Sequence, residues 1–173
     1  MKRLLIVVDM LVGFFEKGRP LDCGEDARAI VPFVRNKVEE LIRSGDPVIF
    51  LKDSHAPDDA EFRMFPPHCV AGTEEAELIE ELRPYGDKGI AVPKTRYSGF
   101  YGTKLDELLT DIQPDIVEVV GVCTNICVLY TVEGLRNRDY SVVVHRDGVA
   151  SFDRAAHEFA LAQMKDVLGA NVR

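Results

Sequence analysis

Short apolar runs alternate along this chain with longer segments whose apolar residues recur every three to four positions. Leu4 to Val8 is an unbroken apolar run, the pattern of a strand buried on both faces. Ala27 to Ser44 has helical spacing, with Ile30, Val34, Val38, Leu41 and Ile42 on one face and Gly45 as the stop. The same logic predicts strands at Pro47 to Leu51, Gly89 to Val92, Ile116 to Val120 and Tyr140 to His145. It predicts helices at Glu74 to Leu82, with an acidic first turn, and at Thr103 to Leu109, with Thr103 as a cap. Asn125 to Arg136 follows Thr124 as N-cap, and Arg154 to Leu168 follows Asp153. Alternating strand and helix requires parallel strands joined by right-handed crossovers. The predicted fold is a three-layer α/β/α sandwich with a mostly parallel, Rossmann-like sheet, one domain over residues 1–173.

In open α/β sheets, ligands bind beyond the carboxyl ends of the strands. Asp9 follows the first predicted strand, Asp53 and His55 follow the second, and Lys94 follows the third. The fourth leads through Gly121, Val122 and Cys123 to Cys127. The connection from Lys52 to Gly72 is long for a compact domain, and long ordered loops are usually functional.

Charge narrows the possibilities. The net charge is −8 over 173 residues, and no basic run exceeds two residues. Nucleic acid and anionic membrane surfaces both need clustered Lys and Arg, so neither is an expected partner. Leu4 to Val8 is too short for a signal-peptide core, and no apolar stretch approaches membrane-spanning length. Four unevenly spaced cysteines do not make a disulfide framework, which suits a reducing, cytoplasmic compartment.

With Thr124 as N-cap, Cys127 would occupy the third helical position, where free N–H groups and the helix dipole favour a thiolate. A single free cysteine is more often a small core residue. Beside Asp9 and Lys94, Cys127 gains a role. A carboxylate can take the thiol proton and deliver it to a leaving amine, and an ammonium stabilises both anions. Asp53 and His55, two apart in extended chain, point the same way. With Glu61 and His68 they form a donor set suited to Zn²⁺, Fe²⁺ or Mn²⁺, although Asp-x-His by itself is often accidental. His145 also lies at a predicted strand end, whereas His157, within the last helix, reads as structural. Phe14, Phe15, Phe65, Tyr97, Phe100 and Tyr101 fall on loops at this edge and would suit a flat aromatic ligand.

Gly121-Val-Cys-Thr-Asn-Ile-Cys127-Val, Ile-Val-Val-Asp9 and Val-Pro-Lys94 together resemble the isochorismatase-like cysteine hydrolases, from about Leu4 to Met164. Asp53-Ser-His55 and Phe65-Pro-Pro-His68 resemble the metal loop of the nicotinamidase (pyrazinamidase) branch. The resemblance implies Cys127 as nucleophile, Asp9 and Lys94 as its catalytic partners, and a cis peptide before Cys123. It implies an oxyanion hole from the Cys123 and Cys127 N–H groups. It also implies one divalent metal, Zn²⁺ ahead of Fe²⁺ or Mn²⁺, on Asp53, His55 and His68. For a further ligand it offers Glu61, seven residues before His68, or Asp59, which stands where some members have a second loop His. Phe14 and Phe65 match the positions that sandwich a pyridine ring, the second usually being Trp, which this chain lacks. Leu11 and Asn125 replace a common Gln and Asp. The implied reaction is hydrolysis of nicotinamide to nicotinate and ammonia, with another small amide or carbamoyl compound as alternative substrate. A silent binding protein of the same fold is the third reading. Members are often homo-oligomers.

Overall fold

The computed structural model describes residues 1–173. Six parallel strands form one sheet in the order β3-β2-β1-β4-β5-β6. They are β1 (Arg3–Val8), β2 (Val48–Asp53), β3 (Ile90–Lys94), β4 (Ile116–Val122), β5 (Val142–Ala150) and β6 (Asn171–Val172). The helices are α1 (Val12–Phe15), α2 (Gly24–Ser44), α3 (Leu105–Ile112), α4 (Leu129–Arg136) and α5 (Arg154–Ala162). Successive β1 side chains go to opposite faces of the sheet. Leu5 and Val7 join the core under α2, with Val34, Val38 and Leu41. Leu4, Ile6 and Val8 join the core under α3, α4 and α5, with Leu109, Val132 and Leu161. Each fully buried side chain of this kind contributes roughly 1.5–3 kcal/mol, so both layers are needed to hold the sheet.

The strand order reverses between β1 and β4, and their carboxyl ends open a crevice there. Gly121, at φ 122°, makes the approach possible: a Cβ on it would lie 2.0 Å from the Val8 carbonyl oxygen. No other residue lets β4 pass β1 so closely and lead directly to Cys123.

Gly45 ends α2 in the left-handed conformation, and Asp153 caps α5 by accepting from Ala156 N–H, both as the sequence predicts. Four expectations change. Glu74 to Leu82 is not a helix. After a single turn at Glu74–Ala76 the chain is extended only briefly before it turns again at Glu80–Leu82, and the bonds of the extended part go outward: Val12 N–H donates to Glu77 O and Ile79 N–H to Met10 O, both near 3 Å. Those bonds fasten the chain after β1, and Leu78 pairs with Leu11. β5 continues past His145 through a register shift to Ala150. α5 stops at Ala162 and continues as a π-helical turn, Gln163–Val167. β6 was not foreseen, being only two residues long. No helix is long and apolar enough to cross a membrane.

Candidate active site

Asp9, at φ 50°, turns the chain out of β1, and its side chain is completely buried. Its Oδ1 accepts from the Asp53 backbone N–H at 2.9 Å, tying the ends of β1 and β2 together. Lys94, the last residue of β3 rather than the one after it, is equally buried. Its ammonium donates to Asp53 Oδ1 at 2.5 Å and to Cys127 Sγ at 3.5 Å. It lies 2.8 Å from Asp9 Oδ2, an ion contact without hydrogen-bond alignment that leaves this oxygen without a hydrogen-bond partner. An oxygen of Asp9, an oxygen of Asp53 and the Cys127 sulfur all lie within 4.8 Å of one another.

Cys127 reaches this point from a π-helical turn, Thr124–Val128, that leads into α4. Thr124 is not its N-cap. The cap position is Cys123, and the Thr124 hydroxyl is engaged instead with His157 Nδ1 of α5 at 2.8 Å. His157 is thus structural, as expected. The Val122–Cys123 peptide is cis. The Cys123 sulfur lies 3.2 Å from that of Cys23. Asn125 accepts from the Ser151 hydroxyl at 2.5 Å.

The charges set the protonation states. Burial, then the Asp53 charge, raise Asp9 to about 6 against the pull of Lys94. Burial would raise Asp53 too, but Lys94, His55 and His68 outweigh it and hold Asp53 well below the usual carboxylate range. Burial works against the Lys94 charge, yet Asp53 and Asp9 keep it protonated well above its ordinary value. Burial also pushes the Cys127 thiol well up. Lys94 opposes this, while Asp9 and Asp53 reinforce it. Burial thus works against the thiolate that the helix end favours. The thiol proton has a nearby acceptor in Asp9, a stronger base than an ordinary carboxylate.

A second cluster adjoins the first. Donor atoms of Asp53, His55 and His68 lie within 4.8 Å of one another, and all three residues are buried. His68 Nδ1 donates to Pro66 O at 2.9 Å, so its Nε2 is turned inward, 3.7 Å from both Asp53 Oδ2 and Glu61 Oε1. His55 Nε2 and Glu61 Oε2 are buried without a hydrogen-bond partner. Orphaned buried polar atoms are costly, and two beside two further inward donors fit a bound cation. The mixed carboxylate and imidazole set fits a borderline divalent metal. Asp59 does not face this centre. One of its carboxylate oxygens meets His55 Nδ1 from behind, at 3.1 Å.

Both clusters open on one mostly apolar cleft. Phe14, Phe65, Tyr97, Leu21, Cys23, Val122, Cys123, Ile126 and Phe152 line it together with Asp53, Glu61, His68 and Cys127. Phe14 and Phe65 are thus where the sequence suggests. Phe15 is buried in the core, Phe100 lies under the Arg138 guanidinium and Tyr101 is exposed. Leu21, Cys23, Ile126 and Phe152 were not anticipated. Of these, Phe152 could have been found from its place just after β5 at the same sheet edge. His145 takes no part. It faces Glu118, 2.5 Å away under α2.

The Isochorismatase domain model matches residues 3–172. Nicotinamidase PncA from Bacillus subtilis superposes with a TM-score of 0.95 at 39% identity, covering 99% of both chains. N-carbamoylsarcosine amidase from Thermoplasma acidophilum gives 0.89 at 37%, covering all of this chain and 96% of its own. Pyrazinamidase of Pyrococcus horikoshii, solved in complex with zinc, gives 0.88 at 28%, covering all of this chain and 99% of its own.

Proposed function

The chain belongs to the isochorismatase family, and on that premise we propose that it is an amidohydrolase that converts nicotinamide to nicotinate and ammonia. One observation carries the reading: a buried Asp9–Lys94–Cys127 constellation and a buried set of inward metal donors open on the same aromatic-walled cleft.

In this reading Cys127 Sγ attacks the carboxamide carbon as its proton passes to Asp9. The Cys123 and Cys127 N–H groups hold the oxyanion. Lys94 keeps its charge throughout and stabilises the sulfur as it becomes anionic. Asp9 gives the proton to the departing nitrogen, ammonia leaves, and a thioester remains on Cys127. A water molecule then attacks that carbon, its proton passing through Asp9 back to the sulfur as nicotinate departs. Asp53, His55, His68 and Glu61 would hold a divalent metal, zinc first by the chemistry of the set, which supplies a Lewis-acidic point for a pyridine nitrogen. Phe14, Phe65 and Tyr97 would hold the ring flat, so that the carboxamide meets the sulfur in one orientation.

Another small amide is the second reading, favoured by the likeness to N-carbamoylsarcosine amidase. The cleft argues against a carboxylate-bearing carbamoyl substrate, because no Arg or Lys lines it. Purified protein assayed for ammonia release on nicotinamide, pyrazinamide, benzamide and N-carbamoylsarcosine tests both readings. Preference for the two amides that carry a ring nitrogen supports ours. Release from the carbamoyl compound alone would replace it.

A further inference from the structure

We propose that Asp59, held by Arg96, is a positioning residue that fixes the ring of His55 for metal binding. The proposal rests on the metal reading of the site given above. Asp59 starts the turn Ala60–Arg63, and its side chain is 7% exposed. Oδ1 accepts from the Glu61 backbone N–H at 2.9 Å and from Arg96 Nη1 at 2.8 Å. Oδ2 lies 3.1 Å from His55 Nδ1. An ionised carboxylate only accepts, so Nδ1 carries the proton, and in the neutral, metal-binding ring Nε2 then holds the lone pair. That Nε2 atom is buried, lacks a hydrogen-bond partner and lies 3.7 Å from Asp53 Oδ2. The carboxylate behind a ligating imidazole sets its tautomer, fixes its orientation and raises its basicity. Because Oδ1 also holds the Glu61 N–H, the same residue sets the position of a second inward donor. Arg96, two residues beyond Lys94, restrains the carboxylate from the β3 side and so links the metal loop to the strand that carries Lys94.

A simpler alternative is that Asp59 only caps its turn, and another is that it swings round to bind the metal itself. Zinc affinity, measured by chelator competition on the full chain, separates them. Asp59→Ala is expected to weaken zinc binding by about 10- to 100-fold. Asp59→Asn, which can still cap the turn, should weaken it in the same direction. Arg96→Gln should weaken it by less, and adding it to Asp59→Ala should change nothing further. In the zinc-free protein, ¹⁵N shifts of the His55 ring should show one tautomer in the parent and a mixture in Asp59→Ala, which a capping role would not produce. Unchanged zinc affinity in both Asp59 variants would overturn the proposal while leaving the metal reading intact. Tighter binding by Arg96→Gln would overturn it in favour of Asp59 as a ligand. A parent protein that takes up no zinc would remove the metal reading and the proposal together.

Discussion

The molecule buries carboxylates in two places, and the two are built differently. Glu118, midway along β4, lies under α2 and is ringed by basic side chains: His145 Nε2 at 2.5 Å, Lys37 at 3.3 Å, Arg3 at 3.7 Å and Arg173 at 4.0 Å. One acid answers to several bases, and Glu118 sits at about 2 despite its burial, held there by His145 and Lys37. At the strand ends the proportions invert. Asp9 and Asp53 share one ammonium, their acidities are driven in opposite directions, and inward polar atoms are left without partners. A satisfied cluster stabilises a fold. A cluster in which one acid is left basic and donors are left open has a use for a substrate and a metal.

Substitutions should therefore separate activity from stability. The largest effect is expected at the strand ends. Cys127→Ala should lower nicotinamide turnover by at least about 10⁴-fold, and Asp9→Asn by about 10³-fold or more, with thermal melts close to the parent's. Melting loss comparable to that of a core truncation would place these residues with Glu118 instead.

Metal removal comes next. Stripping the protein with chelator should cost roughly 10²-fold on nicotinamide and far less on benzamide, which has no ring nitrogen to orient. Equal losses on the two substrates would assign the metal to structure.

Glu118→Gln should do the converse. Turnover per folded molecule should stay unchanged while stability falls by roughly 2–3 kcal/mol, or several degrees in Tm. The sign follows from a folded-state value of about 2 against an ordinary 4.5. The contribution is complete above about pH 4.5 and is lost as pH falls towards 2. Urea midpoints of parent and variant should differ at neutral pH and converge in acid, and a gap that persists there would contradict the ion-pair account.

The smallest effect is expected for Cys123→Ala, within about threefold of the parent in turnover. Its sulfur faces Cys23, and only its backbone N–H is assigned a part.

Asp9, Lys94 and Cys127 were legible because strand ends are predictable and the segment around Cys127 is distinctive. The proximity of Asp53, His55 and His68 was legible, but Glu61 and Asp59 were not separable as the further inward donor. Two acids two residues apart offer the same chemistry, and only the turn that begins at Asp59 decides which faces inward. Glu74 to Leu82 misled because its spaced apolar residues fit a helix equally well. Leu78 and Ile79 are both buried, but against the chain after β1, a contact far away in sequence. The burial that opposes a thiolate at Cys127 was not legible, because a sequence shows the helix end and not the depth of the site.

Product analysis of the purified, zinc-loaded chain with nicotinamide tests the account most directly. The account predicts nicotinate and ammonia in equal amounts, abolished in Cys127→Ala. No turnover of nicotinamide by folded, zinc-loaded protein, or undiminished turnover by the variant, would contradict it.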